Sequence, residues 1–280
     1  MSAEIDSLIA EETPAAASSS FYAAMRVLPR QQREAMYHVY AFCRAVDDVA
    51  DNGGSREVRL ADLVQYREDI EALYATGRRT QRTRDLAGPI AQYGLLKDDF
   101  IAVIDGMEMD IVRDLRAPEW KVLDLYCDRA ASAVGRLSVR IFGMEEAAGI
   151  ELSHNLGRAL QLTNILRDID EDASMGRLYL PKEALRECGV ADLSIAEILA
   201  DPRLDRVCRG IADKARRYYD ASDAIMARSS RRSVRSPRMM ATVYRGILEK
   251  LIARGWHAPR VDVRRSKRTV LWAVLRDGIF

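Results

Sequence analysis

From Ile150 to Asp172 the chain projects as a helix with two opposed faces, Gln161, Asn164, Asp168 and Asp172 on one and Leu162, Ile165, Leu166 and Ile169 on the other. Gly157 extends the polar stripe and leaves room for a close approach. A helix that buries one side and lines the other with oxygen donors over three turns asks for a helical partner and a ligand that accepts oxygen. Carboxylates and amide oxygens are what magnesium accepts, with waters or phosphates completing its shell. A solvated acidic face beside Arg167 would give the same pattern, so this segment alone leaves both readings open.

The theme recurs between Gln31 and Asp51. Met36, Tyr40, Cys43, Asp47 and Ala50 share a stripe, Asp51 lies beside it and Asp48 nearly opposite. Two carboxylates thus fall on the side expected to be buried, where an anion needs a cation, a metal or dense hydrogen bonding. Asp47 and Asp51 are one turn apart, with Cβ atoms about 5–6 Å from each other, and both can reach one magnesium-sized site. Arg44 supplies either a structural ion pair or a hand for a phosphate. Two such arrangements in one chain favour a shared ligand over two unrelated surface faces. No Gly-rich phosphate loop accompanies them, which removes the nucleotide-binding alternatives.

The rest of the chain reads as all-α, with apolar residues at three- and four-residue spacing and no run of alternating β-branched residues. Ser18–Ser20, Pro29, Asp98-Asp99 and Pro118-Glu119 suit helix starts; Gly53-Gly54, Gly88-Pro89, Gly143 and Asp201-Pro202 read as loops. At 280 residues, 48% apolar and 30% charged, the composition suits one globular domain, read here as residues 18–280 behind a loose tail, 1–17, that has neither signal nor transit character. Cys43, Cys127, Cys188 and Cys208 show no compact spacing and read as reduced thiols of a cytoplasmic protein. His38, His154 and His257 lack metal-ligand spacing. No apolar window is long enough to span a membrane; Thr269–Phe280, interrupted by Arg276 and Asp277, reads as a core helix or a peripheral contact at the inner membrane face.

The net charge of +1 argues against a nucleic-acid partner, yet it conceals an asymmetry. Residues 228–268 carry 13 Lys or Arg against Glu249 and Asp262, a local +11 that leaves −10 for the remainder. Acidic faces and a separate basic segment suit an anionic ligand held between metal ions and cationic side chains. A diphosphate so held becomes a good leaving group. If it leaves an allylic carbon, apolar and aromatic walls must shield the carbocation from water. Phe21, Tyr22, Tyr37, Tyr40, Phe42 and Tyr126 can supply such walls or plain core. The small-residue stretch A-A-S-A-V-G, Ala130–Gly135, makes space for an isoprenoid chain or for close helix packing.

Four segments resemble the squalene/phytoene synthase family: S-S-S-F-Y at Ser18–Tyr22, Y-x-F-C-R-x-x-D-D-x-x-D at Tyr40–Asp51, Y-C-D-R-A-A-S-A-V-G at Tyr126–Gly135, and Q-L-T-N-I-L-R-D-I-D-E-D-x-x-x-G-R-x-Y-L-P at Gln161–Pro181. The likeness covers roughly residues 18–270. It implies a single-domain, all-α isoprenoid-synthase fold with a central cavity and magnesium, or manganese, on Asp47, Asp51, Asn164, Asp168 and Asp172. It further implies diphosphate contacts from Arg44 and Arg167, and substrate contacts from Ser20, Tyr22, Tyr126 and Gln161. R-R-S-K-R at Arg264–Arg268 falls where the family has basic residues facing the diphosphates, which makes Lys267 a substrate-binding candidate. M-R-V-L-P at Met25–Pro29, I-D-G-M-E-M-D at Ile104–Asp110 and L-S-V-R-I-F-G at Leu137–Gly143 are similar to the bacterial hopanoid-pathway branch. Its members join two farnesyl diphosphates into presqualene diphosphate without NADPH and leave the rearrangement to partner enzymes. The implied reaction is ionisation of one farnesyl diphosphate, attack on its C1 by the 2,3-alkene of the other, and proton loss, with Tyr126 or the departing diphosphate taking part.

Dehydrosqualene and phytoene synthases share every metal motif but continue to a hydrocarbon, and a complete squalene synthase adds reduction by NADPH. Chain-elongating prenyltransferases match Asp47-Asp48-x-x-Asp51, but their second motif is another D-D-x-x-D, where this chain has the Asn164, Asp168, Asp172 frame. A non-catalytic helical adaptor would instead keep its acids on solvated faces.

Overall fold

The computed structural model describes residues 24–52, 54–113, 115–261 and 263. Ser20, Phe21, Tyr22, Lys267, the tail 1–17 and the apolar segment Thr269–Phe280 lie outside that range.

Helix α1 (Arg30–Asn52) begins directly after Pro29, whose carbonyl accepts from the Arg33 N–H at 2.9 Å. Its buried stripe is Ala35, Met36, Val39, Phe42, Val46 and Ala50. Tyr40, Cys43 and Asp47 run along the border of that stripe, half-buried, so the acids line a seam and stay out of the core. Each core side chain as enclosed as Met36 or Val39 stabilises the fold by about 1.5–3 kcal/mol.

Ser55 caps α2 (Arg56–Thr76), its Oγ accepting from the Val58 N–H, and α3 (Ala87–Tyr93) follows after an irregular stretch. Gly88-Pro89, expected to form a loop, lies in the first turn of α3, where a helix makes no use of the N–H that proline lacks. α4 (Lys97–Val112) carries Asp98 and Asp99 in its first turn, against the positive end of the helix dipole. α5 (Trp120–Cys127) runs through a π-helical turn, Asp128–Ser132, into α6 (Ala133–Phe142). Gly143 ends α6 at φ 72°, a left-handed conformation that glycine adopts without strain.

α7 (Glu146–Arg167) is the central helix, packing against the π turn, α6, α11 (Leu204–Ala227) and α12 (Arg235–Arg254). It does not continue to Asp172. Asp168 adopts φ −97° and ψ 15°, and a separate helix α8 (Ile169–Ser174) carries Asp172. At the break the buried Trp256 indole N–H donates to the Leu166 carbonyl at 2.9 Å, so an acceptor at the helix end is satisfied from outside. Two short helices, α9 (Lys182–Glu187) and α10 (Ile195–Ala200), complete the set, and no strand occurs among the described residues.

One apolar core joins α1, α2, α4 and α6; a second joins α5 with α7 to α12. The C-terminal end of α1 and the segment that follows α8 meet at the seam between the two cores, where Arg177 bonds to Asp51. The opposite end is marked by Arg228, which pairs with Glu151 near the start of α7, about 25 Å of helix away from Asp168. Arg228, Arg231 and Arg232 are exposed there, so this part of the basic segment does not face the acids. Arg260 does reach their end, pairing with Asp170 at 2.6 Å.

Candidate active site

The helical projection placed Asp47 and Asp51 one turn apart, and the structure keeps them near the C-terminal end of α1, on the seam, or cleft, between the two cores. Arg44 reaches forward to both Asp47 and Asp48, each at 2.9 Å. Burial and the neighbouring Asp51 carboxylate push Asp47 up to about 6. Across the seam, Arg167 grips Asp168 with two hydrogen bonds, 2.7 and 2.5 Å. Burial and the Asp168 carboxylate push Asp172 up to about 7. On each side, then, one carboxyl gives up its proton reluctantly, which is what burial beside a like charge one turn away produces.

The two sides are joined by a residue the helical projection passed over. Arg177 donates to Asp51 Oδ1 at 2.9 Å and lies in the field of Asp47, Asp110 and Asp172. Tyr179, two residues on, donates to Asp110 Oδ1 at 2.7 Å, and Tyr126 donates to Asp110 Oδ2 at 3.1 Å. The two tyrosine rings stack at 5.0 Å with 13° between planes. Burial pushes Asp110 up to about 6, even though both hydroxyls and Arg177 pull the other way. Burial, with Asp110 alongside, holds Tyr126 well above the ordinary tyrosine range, so its hydroxyl is a neutral donor.

Arg177, Tyr179 and Asp110 were present in motifs read from the sequence but carry no helical signal as a group. Residues 177–180 run extended against Leu115–Ala117, with Ala117 N–H donating to Leu178 O at 2.9 Å and Leu178 N–H to Leu115 O at 3.2 Å. Alternation in an extended segment sends Leu178 and Leu180 into the core on one side and turns Arg177 and Tyr179 toward Asp51 and Asp110 on the other. A period of two across G-R-L-Y-L-P was the available signal.

Of the other expected residues, Phe42 belongs to the core, edge-on to Tyr66 and Phe100, and is not a cleft wall. Tyr37 and Tyr40 are half-buried on the same core's flank. The stretch Ala130–Gly135 packs closely: a Cβ on Gly157 would lie 2.6 Å from Ser132 Oγ and 2.7 Å from its Cα. The close approach that Gly157 permits is therefore that of the π turn. The cysteines are free, and burial pushes Cys43 and Cys127 up to about 12, which makes them inert thiols.

Among the described residues no three His, Cys, Asp or Glu side chains converge into a ready-made cation cage. The oxygen donors come in pairs on facing elements. Asn164 shows that a further ligand fits: its amide N–H donates weakly to Gln161 Oε1 at 3.5 Å, while its buried Oδ1 has no hydrogen-bond partner. A buried carbonyl oxygen without a donor, beside acids that resist joint ionisation, suits a hard divalent cation.

Fold and site together define an isoprenoid-synthase-type protein, all-helical with facing carboxylate pairs. The family model described as squalene/phytoene synthase matches residues 15–269, and the chain belongs to that family. It is 54% identical over 264 residues to the presqualene diphosphate synthase of Rhodopseudomonas palustris, covering 94% of each chain. It is 53% identical to the protein of that name from Zymomonas mobilis, covering 93% of this chain and 89% of that one. Among solved structures it is similar to a dehydrosqualene synthase in complex with ligand, with a TM-score of 0.82 and 26% identity over 98% of this chain and 94% of that one.

Proposed function

We propose that this chain joins two farnesyl diphosphates head to head into presqualene diphosphate, releasing one diphosphate and a proton, for squalene and hopanoid synthesis. The observation that supports the reading is Arg177, bonded to Asp51 and in the field of both Asp47 and Asp172, in a chain more than half identical to relatives named for that activity. Asp47, Asp51, Asn164, Asp168 and Asp172 would hold magnesium, and the same oxygen set suits manganese. Bound there, the metal neutralises charge developing on the departing diphosphate.

Arg44, Arg167 and Arg177 each hold a carboxylate beside that position, and their guanidinium groups are suited to grip phosphate oxygens. Gln161, Ser20, Tyr22 and Lys267 complete the proposed substrate contacts. As the C1–O bond of one farnesyl diphosphate breaks, the 2,3-alkene of the other bonds to C1, and loss of a proton closes the cyclopropane. A tyrosine held neutral is a poor base alone. Tyr126 instead relays: it accepts the proton at its hydroxyl oxygen while passing its own to Asp110, whose raised pKa makes it a better acceptor. Tyr179 holds the other Asp110 oxygen.

No helix among the described residues is long and apolar enough to cross a membrane. The thiol pattern supports a cytoplasmic enzyme. Under this proposal residues 18–280 form one domain, the segment 269–280 is a core helix or a peripheral contact at the inner membrane face, and squalene-forming enzymes take the product.

The test is incubation of the purified protein with farnesyl diphosphate and magnesium, with and without NADPH. A phosphorylated C30 product under both conditions is expected. A hydrocarbon without NADPH would make the chain a dehydrosqualene-type synthase, squalene only with NADPH a complete squalene synthase, and no product an adaptor.

A further inference from the structure

α5 is only eight residues long and carries Tyr126 in its last turn. A helix that short does not hold its own orientation; tertiary contacts must do so. Its far face is gripped by Arg158 of α7, a residue only 5% exposed. Arg158 donates to both oxygens of Asp124, Nε to Oδ1 at 2.8 Å and Nη2 to Oδ2 at 2.9 Å. Its Nη1 reaches Asp128 Oδ1 at 3.3 Å, Ser132 Oγ at 3.1 Å and the His154 carbonyl at 3.3 Å. One side chain thus binds the residue two before Tyr126, the residue two after it, and the last residue of the π turn.

The turn is pinned from two sides as well. A Cβ on Gly106 of α4 would meet the Arg129 Cβ and the Ala130 nitrogen at 3.1 Å, and Gly157 of α7 meets Ser132 still more tightly. Arg136 takes Asp128 from the following turn, at 3.2 Å, and Asp99 at 2.5 Å. A π turn inserts one extra residue into a helix and so rotates the turn before it relative to the turn after it. Here the turn before it carries Tyr126, pointed at Asp110, while Arg158 shares α7 with Gln161 and Asn164.

We infer that Arg158 is a positioning residue for the prenyl-transfer step: by clamping Asp124, Asp128 and Ser132 onto α7 it sets the Tyr126 hydroxyl on Asp110, in register with the cleft residues of the same helix. The inference rests on the proposed role of Tyr126. A displacement of about 1 Å at a reacting group can cost on the order of a hundredfold in rate, so a loosened clamp is visible in turnover. Lysine keeps the charge of Arg158 but cannot span both Asp124 oxygens and reach Ser132.

The experiment is a double-mutant cycle on kcat and KM with farnesyl diphosphate and magnesium, using Arg158→Lys, Tyr126→Phe and the pair, with melting temperatures alongside. Arg158→Lys is expected to lower kcat about tenfold with KM for farnesyl diphosphate changed less than about twofold. In the Tyr126→Phe background the same substitution is expected to cost less than about twofold more, because the group it positions is gone. Equal losses in both backgrounds, or an unchanged kcat for Arg158→Lys alone, would overturn the inference and leave the Tyr126 reading standing. An unchanged kcat for Tyr126→Phe would remove that reading and the inference with it. Asp124→Asn, which keeps Arg158 and weakens one arm of the clamp, is the second route to the same cycle if Arg158→Lys does not fold, with the same outcomes deciding.

Discussion

Two groups of carboxylates flank α7, and the fold treats them in opposite ways. Asp99, Asp124 and Asp128 face Arg136 and Arg158, and every acid has a guanidinium partner, although burial still pushes Asp99 up. In the other group Asp47, Asp51 and Asp168 have such a partner, while among the described residues no guanidinium bonds to Asp110 or Asp172. The two-handed grip of Arg158 holds Asp124 below the usual carboxylate range. At the cleft, Asp47, Asp51, Asp110, Asp168 and Asp172 outnumber the arginines among them, and Asp47, Asp110 and Asp172 are all pushed up. The chain can balance a buried acid when balance is all it needs. Where it leaves acids in excess it gives up stability, a trade seen at functional sites generally, and under the proposed function the excess is met by magnesium.

The sharpest way to break the comparison is to neutralise one acid from each group. Asp172→Asn is expected to lower turnover of farnesyl diphosphate by about 10²–10³-fold. Without metal at pH 8 the same variant is expected to melt about 2–4 °C higher than the parent, since it removes an unfavourable charge. Asp124→Asn should do the reverse in the melt, lowering Tm because Arg158 loses a partner it already has. A lower melting temperature for Asp172→Asn would place the cleft acids in the balanced class.

Arg177→Met removes the cation that joins the two halves of the cleft. Affinity for inorganic diphosphate in the presence of magnesium, measured by calorimetry, is expected to fall about tenfold, the scale of one charge-assisted hydrogen bond. Unchanged affinity would confine Arg177 to its contact with Asp51.

On the balanced side, Gly157→Ala forces a methyl group against the Ser132 backbone and is expected to cost about 1–3 kcal/mol in unfolding free energy. Gly210→Ala on α11, where a Cβ meets nothing within 4 Å, is the control and should be neutral or slightly stabilising.

The smallest effect is in pH. A carboxyl whose pKa is raised by folding stabilises the fold only while protonated. That contribution is complete below the ordinary value of about 4 and is lost as pH rises through about 6 for Asp47 and Asp110 and about 7 for Asp172. The difference in Tm between Asp172→Asn and the parent, without metal, should therefore be small near pH 4 and widen toward pH 8. A difference that stays flat across that range would mean Asp172 is not strained by its neighbours.

The cleft was legible in the sequence as far as helices carry it. A pitch of 3.6 residues that repeats over several turns set Asp47 beside Asp51 and Asn164 in line with Asp168, which is what made them candidates. The same projection failed where the helix ended: it carried α7 on to Asp172, whereas the chain breaks at Asp168 and Asp172 rides on α8. It also read Gly88-Pro89 as a loop, although the first turn of a helix tolerates both. The small residues of Ala130–Gly135 stood equally for substrate space or close packing, and only the approach of Gly157 to Ser132 decides for packing.

Local pattern by itself determined the helical class and the two acidic faces, and resemblance in its motifs determined the family, because periodicity and motif spacing are properties of neighbours along the chain. Tertiary structure decided which charges are compensated. Arg158 lies 34 residues from Asp124 and Arg177 lies 126 from Asp51. Whether an acid is balanced by such a partner or left for a ligand depends on which distant guanidinium the packing delivers to it, and that distance in sequence leaves no periodic trace.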